Sequence, residues 1–328
     1  GVDMDKLLTV TSSPHIKTDE DTRSIMLDVI IALLPALIAS GYFFGFRAFI
    51  LILISVVSCM VFEYLARKAL KKDNTIGDLS AVVTGILLAF NLPATAPWWV
   101  PIIGSFIAIV VAKQLFGGLG KNFMNPALIG RIFLMASFAD IMTNWSKTTL
   151  SWAGDVTADA VSAATPLASL KSGKLPNEST FMLLLGDRAG CLGETSALLL
   201  IAGGLYLLLR RVITWQTPVA YIGTVAILTF LTAGDLDRFQ FMMAHLLSGG
   251  LLLGAFFMAT DYATTPVTGK GRFIFGVGCG LLTVLIRYFG GYPEGVSFSI
   301  VLMNLMTWFI DKYTRPRAYG GGAANAKN

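Results

Sequence analysis

Leu79–Pro97 reads LSAVVTGILLAFNLPATAP, and Leu247–Pro266 reads LSGGLLLGAFFMATDYATTP. The two stretches align with a one-residue gap. Each is an apolar run that stops in a cluster of Asn or Asp, Thr, Ala and Pro. Further along, LFGG ending at Gly118 matches YFGG ending at Gly291, so the landmarks keep their order. Leu- and Gly-rich helices also match by chance, but the kept order favours a repeat. Both runs are short for a bilayer crossing, and lipid tolerates non-helical backbone only where protein or a cavity covers it. They are therefore expected to be broken helices, or half-helices, that line a site.

Composition sets the solvent. The chain has 328 residues, 55% hydrophobic and 14% charged, with a mean hydropathy of +0.68. A soluble domain is about 25% charged. Several uncharged apolar runs approach the ~20 residues that a helix needs to cross a hydrocarbon core. The expected fold class is all-α and polytopic, with about ten transmembrane helices in two inverted five-helix repeats. The expected spans are 25–43, 46–65, 79–92, 98–116 and 126–138, then 194–209, 219–231, 244–261, 273–288 and 296–311. The corresponding domains are an N-terminal segment 1–24, a first repeat 25–139, a connecting loop 140–193, a second repeat 194–312 and a tail 313–328. Ligand sites in such repeats lie between the two halves, near the bilayer midplane.

The net charge of +5 does not indicate nucleic-acid binding, because the basic residues gather at helix ends, as the positive-inside rule expects. With the N-terminus inside, Lys6, Arg67, Lys68, Lys71, Lys72, Lys113, Arg210, Arg211, Lys270, Arg272, Lys312 and Arg315 fall on the cytoplasmic side. Arg47, Lys147, Lys171, Lys174, Arg188, Arg238 and Arg287 fall outside, and Arg131 falls within a span. Both termini are then cytoplasmic, and the one long hydrophilic connection, 140–193, lies outside. The N-terminus lacks a signal-peptide layout, and GGGAANAKN at the end reads as a flexible tail. Cys59, Cys191 and Cys279 have no metal-binding spacing and read as buried small apolar residues. His15 and His245 read as polar surface or interface residues. Lys270, Gly271 and Arg272 fit the positive-inside rule better than a phosphate site.

The connection contains DAVSAATPLASLK, Asp159–Lys171, in which Asp159, Ser162, Ala164 and Thr165 form D-x-x-S-x-A-T. By spacing alone this pattern is weak. The longer motifs are more specific: SSPH, LPATAPWW, AKQLFGGLGKNFMNPALIGR, SAATPL, GETS, KGRFIFG, RYFGGYPEGVSFSIVLMN and DKYTRPRAYG. From about Ser12 to Gly320 the chain resembles the RnfD subunits of the Rnf electron-transport complexes. It is more distantly similar to the B subunits of the sodium-pumping NADH:quinone reductases.

The resemblance implies a membrane subunit of an ion-translocating ferredoxin:NAD+ oxidoreductase in the bacterial cytoplasmic (inner) membrane. It implies FMN joined through its phosphate to Thr165 by an FAD-dependent flavin transferase, with Asp159, Ser162 and Ala164 as recognition elements. Ala163 stands where the commonest motif has glycine. An exposed loop with small neighbours would give the transferase access to the hydroxyl. It also implies a second, non-covalent flavin, riboflavin or FMN, near the breaks at Asn91, Pro93, Thr260 and Thr264; ordinary helix-end packing is the other reading of those residues. The other complex subunits (A, B, C, E and G) and membrane lipid are the implied partners.

Asp261 and Glu194 are ionisable groups at or near membrane depth, a common mark of function. Both are candidate Na+ ligands, Asp261 with help from Thr260, Thr264 and Thr265. A carboxylate reaching water at a helix end is the alternative for Asp261, and a helix start is the alternative for Glu194. The chain has no nucleotide-binding glycine fingerprint and no iron–sulfur cysteine set, so it would need partners for the whole reaction. A small-solute transporter of the same repeat architecture, and a structural scaffold, are the competing classes. Translocation of Na+ or H+ is left open.

Overall fold

The computed structural model describes residues 21–146, 148, 165–176, 178–194, 196–234, 236–291 and 294–316. Among these it is helical, with one isolated bridge between Pro93 and Cys191. The first half contains α1 (Thr22–Phe44), α2 (Phe46–Ala69), α3 (Ser80–Phe90), α4 (Trp99–Phe106), α5 (Pro126–Ser137) and the short α6 (Ala139–Met142). The connection contributes α7 (Pro166–Lys171) and α8 (Thr180–Leu185). The second half contains α9 (Ala197–Leu209), α10 (Gln216–Leu231), α11 (Arg238–Leu247), α12 (Leu251–Leu253), α13 (Gly269–Phe289) and α14 (Val296–Thr314). Nine of the ten expected spans coincide with helices of this series; the eighth, 244–261, instead takes in the end of α11, a bend at 248–250 and α12 with the turn that follows it.

Local chemistry sets the ends. Asp21 and Ser24 form a capping box at the start of α1, satisfying donors that have no partner inside the helix. Asn125 caps α5, with Pro126 at the first helical position, where a missing N–H costs nothing. Among the described residues only α1, α2 and α13 are single helices long and apolar enough to cross a membrane; α11 and the run Leu251–Met258 qualify as a pair bent by 61°. The outward face of α1 presents Leu27, Ile31, Leu34 and Ile38, all exposed. An apolar stripe of that extent is a lipid-facing surface rather than a water-facing one.

Two segments adopt the wider π-helical turn: Ile107–Gln114, which continues α4, and Gly254–Met258, which continues α12. Such turns are rare and often mark functional positions. In the first half α2 packs on α3 and α4, and in the second α10 packs on α11 and α13. The halves meet where α1 lies along α9 and α5 touches α14.

Close backbone approach, the usual device between membrane helices, occurs in both halves. A Cβ placed on Gly85 of α3 would stand 2.7 Å from the Val56 Cα, and one on Gly276 of α13 would stand 2.7 Å from the Thr217 carbonyl oxygen. Polar contacts accompany it. Ser55 donates to the Gly85 carbonyl at 2.8 Å, and the Tyr221 and Thr283 hydroxyls lie 2.7 Å apart.

Candidate functional site

The expected breaks are present; residues 91–94 of the first are buried, whereas the second is only partly so, with Tyr262 and Val267 exposed. α3 stops at Phe90, after which Asn91–Ala94 run non-helically through the core, and α12 with its π-turn stops at Met258. The two ends face each other: the Asn91 amide approaches the Met258 sulfur at 3.8 Å, and Asn125 donates to the Met258 carbonyl at 3.2 Å. The second half has a further break between α11 and α12, at Ser248–Gly250.

Charged side chains from both halves converge on these breaks. Arg131 of α5 donates to Asn91 Oδ1 at 2.5 Å and to Cys191 Sγ at 3.5 Å, and it is ion-paired with Glu294 just before α14. Arg188 donates to the Glu194 carbonyl at 2.6 Å and to the Leu247 carbonyl. Arg287 of α13 donates to the carbonyls of His245 at 2.7 Å and Ser248 at 3.2 Å. A helix that ends inside the core leaves carbonyls without partners, and a guanidinium at its negative end supplies both hydrogen bonds and charge. Two arginines thus close the end of α11. They are buried, as is His245, so His245, Arg188 and Arg287 are core residues rather than surface ones. His15 lies outside the described residues.

The connection is fastened to both breaks. Leu192 donates to the Leu92 carbonyl at 2.9 Å, and Cys191 bridges to Pro93. At its other end α7 packs on α11 and α13. A Cβ on Gly249 would stand 2.6 Å from Leu167 of α7 and 3.2 Å from Arg287 Nη2. Gly249 also has φ +71°, in the region that glycine reaches without steric cost.

Thr165 heads α7. Its Oγ1 accepts from the Ala168 N–H at 3.3 Å, and Pro166 follows at the first helical position. The residue is 5% exposed, which corrects the expectation of an open loop at this position. The cause is the docking of α7, whose Pro166, Leu167 and Leu170 are buried. Asp159, Ser162, Ala163 and Ala164 lie outside the described residues.

A cavity of about 750 Å³ opens beside the end of α9 away from Glu194. It is lined by Thr84, Asn122, Asn125, Phe256, Thr260 and Asp261, among others. Asp261 accepts from Thr264 at 3.2 Å, whereas Thr260 and Thr265 hydroxyls donate to main-chain carbonyls. Asn122 is buried, and its Oδ1 has no partner. Asn91 and Pro93 are at the charged junction and Thr260 is at the cavity, so the four residues expected around a second flavin do not share one pocket. Asp261 and Glu194 likewise belong to different places, the cavity and the junction.

Lys113, on the wall of the same cavity, is paired with Glu63 of α2 at 2.9 Å and donates to Ser80 Oγ at 2.7 Å. It is a buried ion-pair partner, not a basic residue turned to a membrane surface. The sequence signal for Glu63, Lys113 and Arg131 was available: each is a charge inside or at the end of an apolar run. Their partners were not. Cys59, Cys191 and Cys279 are all buried and unpaired, as expected of small apolar residues, although Cys191 also faces the charged junction.

The chain has relatives among known proteins along nearly its whole length. The model of the NQR2, RnfD, RnfE family matches residues 9–320. The chain is 50% identical over 316 residues to the D subunit of the Na+-translocating ferredoxin:NAD+ oxidoreductase complex of Acetobacterium woodii, covering 95% of each chain. It is 47% identical over 324 residues to the D subunit of the proton-translocating ferredoxin:NAD+ oxidoreductase complex of Clostridium ljungdahlii, covering 96% of each. Identity to the D subunit of the ion-translocating oxidoreductase complex of Cronobacter sakazakii is 39% over 346 residues, covering 95% of this chain and 98% of the relative.

Proposed function

The chain belongs to the NQR2, RnfD, RnfE family, and from that premise we propose that it is the D-type subunit of a membrane-bound, ion-translocating ferredoxin:NAD+ oxidoreductase. The carrying observation is the 50% identity to such a subunit across 95% of both chains. The proposed role is electron carriage through FMN held on Thr165, coupled to ion movement. The proposed partners are the other complex subunits (A, B, C, E and G), with an FAD-dependent transferase for maturation. The assigned setting is the bacterial inner membrane, with both termini inside and the connection outside.

FMN, when bound, supplies the electron-carrying chemistry. The protein residues position and screen it. Among the described residues Thr165 Oγ1 acts as an acceptor, toward the Ala168 N–H, a role that an ester oxygen can keep. The ester holds the group at high local concentration. Gly249 and Leu167 seat the helix that carries it.

The second, non-covalent flavin, riboflavin or FMN, is assigned to the cavity by Asp261. Its wall mixes Phe256 and Phe257 with Asn122, Thr260 and Asp261, the apolar lining with a few polar groups that such sites commonly show. Asp261 and the unpartnered Asn122 Oδ1 are also the oxygen donors best suited to a Na+ ion here. The two most similar of these relatives are named for different ions, so the choice between Na+ and H+ needs transport data.

The test is direct. Native protein should give a fluorescent band after denaturing electrophoresis, and Thr165→Ala should give none. Mass spectrometry of the peptide spanning Thr165 should show FMN less one water. An unmodified peptide from fully assembled complex would refute the flavin assignment. A colourless chain that moves a solute through the cavity would favour the transporter class instead.

A further inference from the structure

Helix α2 ends among cations. Arg67 and Lys68 are in its last turn, and Lys71 and Lys72 follow at once. The loop after the first π-turn adds Lys121. A Cβ on Gly118 would stand 2.9 Å from Arg67 Nη1, and one on Gly117 would stand 2.6 Å from Lys121 Cδ. Cations in a last turn complement the negative end of a helix, which accounts for Arg67 and Lys68. It does not account for the other three.

Main-chain bonds close the helix end, from Lys71 to the Lys68 carbonyl at 3.2 Å and from Lys72 to the Arg67 carbonyl at 3.0 Å. Glycine is the usual residue at the left-handed position of such a closure, yet Lys71 occupies it with φ +52°. A charge is kept there against the preference of the backbone. Little acid answers it. Across residues 70–79 the acids are Asp73 and Asp78, and the Asp78 carboxylate accepts from the Ser80 N–H and hydroxyl. Among the described residues Lys71, Lys72 and Lys121 enter no ion pair.

The surroundings are apolar. Leu115, Phe116, Leu119 and Phe123 of the loop are all exposed, Leu115 by 65%, and the rings of Phe116 and Phe123 lie 4.6 Å apart. Leu53, Val57, Val61 and Tyr64 of α2 are exposed as well. Spaced by three or four residues, they form one strip along the helix that runs into the cations, with Lys68 over the Tyr64 ring. A soluble acidic protein would match the charges but not the strip, which faces hydrocarbon.

We propose that the end of α2 and the loop 115–123 form a binding site for an anionic phospholipid. Lys68, Lys71, Lys72 and Lys121 hold the phosphodiester, and an acyl chain lies along Leu53, Val57 and Val61. Phe116 and Phe123 rest at the headgroup boundary, where apolar side chains flanked by Lys and Arg are stable. Only a membrane setting is required, so failure of the flavin assignment would leave the site standing.

The test uses the assembled complex, freed of bound lipid by detergent exchange. It is supplied with photoactivatable phosphatidylglycerol or phosphatidylcholine of identical chains, irradiated, and mapped by peptide. Phosphatidylglycerol should label segments 53–72 and 106–123 about tenfold or more above phosphatidylcholine, several cations contributing roughly fivefold each. High salt should reduce that preference in wild type, with no substitution at all. The combined variant Lys68→Gln, Lys71→Gly and Lys72→Gln should bring it to the phosphatidylcholine level. Glycine at position 71 suits the turn, so the helix end is kept. Equal labelling by both lipids in wild type, or a preference that survives the variant or the salt, would overturn the proposal. So would an unlabelled corner, the result expected if a protein partner covers it.

Discussion

Lys113 Nζ stands 2.9 Å from Glu63 Oε2, with both side chains almost wholly shielded from solvent and 50 residues apart in sequence. The π-turn that carries Lys113 brings Gln114 onto the same carboxylate, at 2.9 Å from Oε1, and Thr75 adds a third donor at 3.0 Å. The carboxylate is well supplied, and so is the ammonium through Ser80. Removing one member leaves the other as an unpaired buried charge, at a cost of roughly 3–5 kcal/mol. Lys113→Met and Glu63→Gln should each lower the unfolding midpoint of the complex in detergent. The double substitution should lose less than the sum of the two.

Gly249 has φ +71° and contacts both Leu167 and Arg287. Gly249→Ala is expected to destabilise by roughly 1–2 kcal/mol from backbone conformation alone, with further loss from the Leu167 contact. Because α7 rests on this residue, proteolysis within the connection should accelerate. Limited trypsin digestion of wild type and variant measures it; equal rates would show that α7 does not depend on the contact.

Thr165 is at once the proposed attachment residue and the cap of α7. Thr165→Ser keeps a hydroxyl cap, whereas Thr165→Ala forfeits about 1 kcal/mol. The Ser variant should therefore match wild type in thermal stability and the Ala variant should fall slightly below it, irrespective of flavin. Burial of the hydroxyl also predicts an order of events. Transferase and FAD should modify the chain well during co-expression, but poorly when added to folded, unmodified protein. Equal labelling in both cases would show that α7 undocks easily.

Asp261 lines the cavity and bonds to Thr264 rather than to a basic residue. Asp261→Asn preserves shape and removes the ionisable carboxyl group. It should reduce ion pumping by inside-out vesicles more than it reduces dye reduction by the complex. Equal loss of both would indicate misfolding rather than ion handling.

The span pattern was legible because hydropathy and punctuation are local. Leu79–Pro97 and Leu247–Pro266 announced their breaks through Asn91–Pro97 and Asp261–Pro266, and the helices stop close to those points. The break at Ser248–Gly250 was missed because apolar residues on both sides hide a bend in a continuous-looking run. The two π-turns were missed because their composition does not differ from that of an α-helix. Pairings such as Arg131 with Glu294, 163 residues apart, are fixed only when distant helices pack. The sides assigned to Lys113, Arg188 and Arg287 rested on the assumption that basic residues seek water; a buried carboxylate holds Lys113, and main-chain carbonyls at a buried helix end hold Arg188 and Arg287. Asn122 stayed hidden, since nothing in its sequence neighbourhood distinguishes it from a turn asparagine.

Leu192 is stitched to Leu92 in one half, while Arg188, four residues earlier, grips Leu247 in the other. At that end the bundle behaves as a clasped book, its covers pinned at the spine. Wholesale rocking of the two halves, the usual engine of transporters built from repeats, would have to tear both stitches at once. The ion passage proposed for this subunit would then call for small side-chain and half-helix adjustments around a fixed scaffold.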